Sequence, residues 1–189
     1  MQSLAERLSR PKMSLYRYVP GREELLALMA DQALGDPPKP TRGGWRRGLR
    51  AWAAAAWPGF LAHRWLQVVM VGPRVMGPHE LGWLEIALDA LADSGLTEAE
   101  QLDAVALVSG HVRGMAAQEP VADGGPGAES GTAALMTQVL VSHAGAFPRA
   151  AAAFERSRRD GGADQALEFG LERILDGLEV LVERRRDSS

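Results

Sequence analysis

A chain of 189 residues, 46% hydrophobic and 24% charged, is long enough for one large or two small packed domains and too apolar for a disordered segment. It contains no cysteine, which rules out a disulfide scaffold, thiolate zinc sites and thiol catalysis; it shows no secretory leader and no apolar run near the roughly 20 residues of a membrane span, and so reads as a soluble cytoplasmic protein. The net charge of −3 is uneven: residues 1–50 hold ten Lys and Arg against five Asp and Glu, a surplus of +5, and the rest sums to −8, which fits either a nucleic-acid-facing end on an acidic body or a solvated basic face.

Nearly every segment carries helical spacing, and none alternates as a strand does. Residues 3–8 set Leu4, Ala5 and Leu8 on one face. Pro11 suits the first position of a second helix over 11–18, because the N–H it lacks is unpaired there anyway. Val19-Pro20-Gly21 ends that helix. Residues 22–34 then repeat Leu25, Leu26, Leu28, Met29 and Leu34 behind the acidic first-turn pair Glu23 and Glu24. Gly35-Asp36-Pro37-Pro38-Lys39-Pro40 cannot continue a helix, so a domain junction is expected there, with 1–36 before it and 41–189 after.

The second part opens with Trp45, Leu49, Trp52 and Ala56 striped along 44–63, a helix that Pro58 is expected to kink or end. Gly72-Pro73 and Gly77-Pro78 bracket an irregular stretch. Residues 78–94 turn Leu81, Leu84, Ile86, Leu88 and Leu91 inward and close on Gly95 with Leu96 behind it, the pattern of a left-handed cap. Thr97-Glu98-Ala99-Glu100 forms a capping box for a helix running to about 118. Residues 119–131, rich in Gly and Pro, read as a loop, and shorter helices over 132–142 and 149–158 flank Phe147-Pro148.

The last helix, 164–184, carries a seam of apolar residues spaced by threes and fours. Gly170 and Gly177 lie in or beside it, where they cost helix propensity unless another backbone comes close. Leu167, Gly170, Leu171, Ile174, Gly177, Leu178 and Leu181 are therefore the expected helix-to-helix interface of a homodimer.

Leu4-Ala5-Glu6-Arg7-Leu8, followed by Met13-Ser14-Leu15-Tyr16-Arg17-Tyr18-Val19-Pro20-Gly21-Arg22-Glu23-Glu24-Leu25-Leu26, resembles the helix-turn-helix end of the TetR family of bacterial transcriptional regulators. Phe169-Gly170-Leu171-Glu172-Arg173-Ile174-Leu175-Asp176-Gly177-Leu178 resembles the terminal helix of the branch with a tetracycline-repressor-type C-terminal domain. The resemblance implies an all-α fold: a short N-terminal helix-turn-helix domain, then a helical ligand-binding and dimerisation domain. It further implies a homodimer on near-palindromic, double-stranded operator DNA, released by a small-molecule effector. Two departures stand out. Relatives carry a complete helix ahead of the segment equivalent to Leu4–Leu8, and their turn usually has a glycine and an apolar residue where Ser9 and Arg10 stand. If the head is incomplete, the alternative is a dimeric small-molecule-binding protein without operator affinity.

A recognition helix needs short polar groups near its start to reach base edges and cationic or hydroxyl groups at its flanks to hold phosphates. Lys12, Met13, Ser14 and Arg17 suit the first role; the resemblance assigns Tyr16, Tyr18 and Arg22 to the second. Taken without it, Lys12 and Arg17 read equally as solvated charges, and Leu15, Tyr16 and Val19 as core. A sensor needs a mostly apolar cavity with a few polar groups, and Trp57, Phe60, Trp65, Met70, Met76, Trp83, His111 and Met115 supply that mixture around the kinked helix and the Gly-Pro breaks, although each is also ordinary core material. The effector expected is flat and apolar. No enzyme, cofactor or metal site is expected: His63, His79, His111 and His143 lack metal spacing, Ser94, Ser109 and Ser142 sit in no nucleophile elbow, and Gly124-Gly125-Pro126-Gly127 lacks the lysine of a phosphate loop.

Overall fold

The computed structural model describes residues 2–7, 9–72, 74–119, 138–140, 142–143, 145–159 and 166–187, and every regular element among them is helical. In chain order these are α1 (Gln2–Arg7), α2 (Lys12–Tyr16), α3 (Arg22–Leu34), α4 (Trp45–Ala62), α5 (Leu66–Val69), α6 (Pro78–Leu91), α7 (Glu98–Gln118), α8 (Pro148–Arg159) and α9 (Ala166–Asp187). The expected loop over 119–131, apart from Glu119, and most of the expected helix over 132–142 lie outside the described residues.

The head is short, and its turn is specified locally. At the end of α1, Arg10 N donates to Ala5 O (3.0 Å) and Ser9 N to Glu6 O (3.1 Å), the paired bonds of a Schellman cap. Ser9 takes the left-handed conformation such a cap demands, at φ 51°, in the place where the resemblance leads one to expect glycine. The second helix is briefer than its spacing suggests. Pro11 is the N-cap at ψ 137° rather than the first helical residue, while Tyr18 N and Val19 N both turn back to Leu15 O.

The body is built on α4, α6, α7 and α9. Leu49, Trp52 and Phe60 of α4 meet Trp83 and Leu91 of α6, Val108 and Val112 of α7, and Leu171, Leu175 and Val182 of α9, all buried. Each such side chain contributes on the order of 1.5–3 kcal/mol by leaving water. One boundary signal is realised as read: Thr97 and Glu100 cap each other reciprocally at the start of α7. Gly95 is left-handed at φ 87° with Leu96 buried behind it, but α6, expected to reach Ser94, already ends at Leu91 with Ala92 as its C-cap, so the glycine turns the link to α7 rather than closing the helix.

Pro58, by contrast, does not end its helix, since α4 continues to Ala62. A proline removes the bond to the carbonyl four residues earlier. That residue, Ala54, is exposed, as is Pro58 itself, so water can take the freed carbonyl. Sequence spacing also gave no sign of α5, a single turn laid against α3. The third helix packs on α4, α5 and α6, so it joins the head to the body instead of standing apart from it.

Candidate functional site

The residues expected to face DNA are held out to solvent on and after α2. Met13 is 79% exposed and Tyr18 76%; Ser14, Tyr16 and Arg17 are exposed as well, and the Arg17 guanidinium lies 5.8 Å from the centre of the Tyr18 ring. Arg22 is exposed at the first turn of α3. The side chain of Lys12 lies outside the described residues. Leu15, expected as core, is half-buried.

The body contains one cavity that gathers half of the expected ligand residues. Phe60, Met70, Met76 and Trp83 line it together with Leu34, Trp52, Ala56, Leu84 and Val105, and its volume is about 90 Å³. Its aromatic walls are chemically quiet: Trp52 Nε1 donates to Trp83 O (2.8 Å) and Trp83 Nε1 to Gly35 O (3.0 Å), so both indoles turn only carbon surface to a guest. The polar lining is limited to Ser109 and the Glu80 carboxylate.

The other four expected residues lie elsewhere. Trp57 is one step round α4 from the cavity-facing Ala56 and packs on the rim of the core. Trp65 borders an open groove between α3 and α5. His111 turns to α9, where its Nε2 donates to Leu167 O (2.9 Å), and Met115 is half-buried but lines no described cavity. Trp52 was missed, although it stands four residues before Ala56 and eight before Phe60 on the same stripe.

At roughly 90 Å³ the cavity is smaller than the roughly 300–1,000 Å³ of ordinary ligand sites, so a larger guest must push past a wall. Met76 is the wall that allows it, because it also lines a groove of about 510 Å³ running along α3 beside Leu28, Asp31 and Arg74. Methionine yields more readily than a branched or aromatic side chain.

Behind Met76 the head is fastened to the body by buried charge. Asp31 of α3 accepts the Glu80 amide on Oδ1 (2.9 Å) and the His79 Nδ1–H on Oδ2 (2.8 Å), and so caps the N-terminus of α6 from another helix. The residue at the cap position itself, Gly77, has no side chain, and a Cβ there would collide with the Asp31 carboxyl. Arg74 grips both oxygens of Glu80 in a largely buried pair. Its hydrogen bonding to the Glu80 carboxylate holds the Arg74 guanidinium above the ordinary arginine value, ahead of the opposing cost of burial. Nothing in the local sequence announces Asp31, because the helix it caps begins 47 residues later.

On α9 the expected interface residues divide between two faces. Leu171 and Leu178 are buried in the chain's own core against α7, with Leu167, Ile174 and Leu181 packed partly against that core. Gly170 is accounted for within the chain, since a Cβ there would strike the His111 ring. Gly177 has open space beside it and lies on the outer face with Phe169 and Val180, 65% and 47% exposed.

The sequence pattern of the tetracyclin repressor-like C-terminal domain matches residues 37–182. The chain belongs to the TetR family of transcriptional regulators. It is 35% identical to the HTH-type transcriptional repressor DrrR1 of Streptomyces coeruleorubidus, over 100% of this chain and 73% of that protein. An HTH-type transcriptional regulator of Saccharopolyspora erythraea is 30% identical over 94% of this chain and 75% of its own length. Among solved structures, the Streptomyces coelicolor TetR family protein ActR in complex with actinorhodin superposes with a TM-score of 0.77 at 27% identity, covering 96% of this chain and 87% of that one. The complex of ActR with (S)-DNPA gives 0.73 at 26%, with the same coverage. The matched C-terminal domain takes in α4 to α8 and most of α9.

Proposed function

We propose that this regulator is a repressor which binds a near-palindromic operator as a homodimer and leaves it when a small, mostly apolar effector fills the cavity between α3, α4, α6 and α7. The observation that carries the reading is the position of Leu34. The last residue of the helix that follows the DNA-facing segment is itself a wall of the cavity, so a guest that outgrows that space on this side presses on α3. The solvent-facing set Met13, Ser14, Tyr16, Arg17, Tyr18 and Arg22, together with Lys12, supplies the DNA contacts, with Met13 and Ser14 at base edges and the cations and phenols at phosphates. The outer face of α9, around Phe169, Gly177 and Val180, completes the dimer together with the edges of Leu167, Gly170, Ile174 and Leu181 that the core leaves uncovered; Leu171 and Leu178 support that face from beneath. The repressor name of DrrR1 and the ligand complexes of ActR support the same reading.

A gel shift with DNA upstream of the chain's own gene tests it without knowledge of the effector. Ser109→Phe places a ring where a guest would sit. Wild type is expected to retard the DNA at low salt and progressively less as salt rises, while Ser109→Phe, helical by circular dichroism, binds at least about tenfold more weakly, the size of an ordinary allosteric coupling. No retardation by wild type, or equal retardation by a folded Ser109→Phe, contradicts the proposal.

A further inference from the structure

The cavity and the groove along α3 are two chambers with a common wall. Met76 lines both, and one charged cluster reaches into each: Glu80 lines the cavity, while Asp31 and Arg74 line the groove. Those charges are answered within the chain, Glu80 by both arms of Arg74 and Asp31 by His79 and the first turn of α6, so nothing at the passage calls for a charged guest. At about 90 Å³ the cavity alone falls short of an ordinary ligand site, whereas with the groove's 510 Å³ it enters the usual range of roughly 300–1,000 Å³. The groove's surface suits a second ring. Ala27 and Leu28 of α3 supply one side, Val75 and Met76 the other, and the exposed carboxylates of Glu23 and Glu24 disfavour an anionic end. Its lining runs back along α3 from Asp31 to Glu23 and then to Pro20 and Tyr18, so the groove leads from the cavity wall to the DNA-facing segment.

We propose that the effector is an elongated, uncharged molecule of two ring systems: one lies between Trp52, Phe60 and Trp83, and the other passes a displaced Met76 side chain into the α3 groove, between Leu28 and Val75, with its outer edge towards Tyr18. This rests on the effector cavity proposed above and deepens it by giving the guest's length and its second contact. Such a guest holds α3 at both ends, at Leu34 from the cavity and at Tyr18 from the groove. Methionine suits the partition, because an unbranched, part-exposed side chain can swing aside and repack against a ring.

Fluorescence titration with two uncharged probes that differ by a single phenyl ring, 2-methoxynaphthalene and 2-benzyloxynaphthalene, tests the assignment. Wild type is expected to bind the benzyl ether at least about tenfold more tightly. Leu28→Glu and Val75→Glu, at exposed positions on the two sides of the groove, should each cut that preference to about twofold or less by weakening the benzyl ether alone, with the methoxy probe within about twofold of wild type. The unchanged methoxy affinity also certifies that the variant cavity is folded. Equal binding of the two probes by wild type, a preference that survives either substitution, or an equal loss of both probes in both variants overturns the second chamber and leaves the cavity standing. Failure of wild type to bind either probe overturns both.

Discussion

At the scale of single residues, a sharply constrained contact in the body is that between Gly170 and His111. The imidazole is anchored to Leu167 O and fills the space that a side chain on residue 170 would need. Glycine in a helix costs about 1 kcal/mol relative to alanine, so the contact must return at least that much. Gly170→Ala is expected to destabilise the fold by about 1–3 kcal/mol in denaturant titration, as overpacking does. In a His111→Ala background the same change should be neutral or stabilising. Additive losses in the double-mutant cycle would show that the two residues do not meet. This pair also shows what sequence reading can and cannot recover. Glycine in an apolar seam correctly announces a close approach, but spacing does not say whether the approaching group belongs to the same chain, and here a histidine 59 positions earlier supplies it. The fates of Trp52 and Trp57 carry a similar lesson. Both are tryptophans of α4, and only helical phase separates the one that faces the cavity from the one beside it.

Among elements, the junctions differ in how locally they are encoded. The start of α7 is written in four consecutive residues, and its electrostatics can be followed by pH. Hydrogen bonds from Arg185 first, then from the Thr97 backbone, hold the Glu100 carboxyl down from 4.5 to about 2. A carboxylate whose folded value is depressed stabilises the fold fully above its ordinary value, and that contribution fades as pH falls from about 4.5 towards about 2. Glu100→Gln should therefore flatten the acid limb of the stability curve over that window and leave the neutral-to-alkaline part parallel to wild type; an unchanged acid limb would show that the Arg185 contact does not persist in solution. The start of α6 is encoded at a distance, by Asp31. Asp31→Ala removes the cap and leaves the His79 imidazole without its buried partner, with an expected loss of about 1–2 kcal/mol in chemical unfolding. The companion substitution Gly77→Ala should cost a similar amount for the opposite reason, by crowding the carboxylate that Asp31→Ala deletes. If neither moves the midpoint, α3 is not fastened to α6 in this way. The start of α7, set by its own residues, was legible in the sequence, whereas this cap, formed only when α3 folds onto the body, was not.

Across the whole molecule, charge needs the structure to interpret it. Much of the basic surplus in residues 1–50 does not face DNA: Arg46 bonds Glu172 (2.8 Å) and Asp176 (2.5 Å), and Arg50 pairs with Glu168 and Glu172, tying α4 to α9. Through Leu34 the chain has five Lys and Arg against four Asp and Glu, a surplus of only +1. Affinity for DNA must then come from the placement of a few cations on and after α2 rather than from a broad basic field. The same view explains why the cavity matters more than its size suggests. It is small, but one wall is the helix that carries the head, Met76 divides it from the α3 groove, and Asp31 fastens that wall to α6. In the proposed function a guest therefore acts on a rigid lever rather than on a loop. Since the chain has no cysteine, a single spin label at Glu24→Cys on α3 reports the separation of the two heads in a dimer by pulsed dipolar spectroscopy. One defined inter-head distance is expected, shifted to a different value when Ser109→Phe fills the cavity. Identical distance distributions for the two proteins, or no dipolar coupling at all, would mean that cavity and heads are not linked.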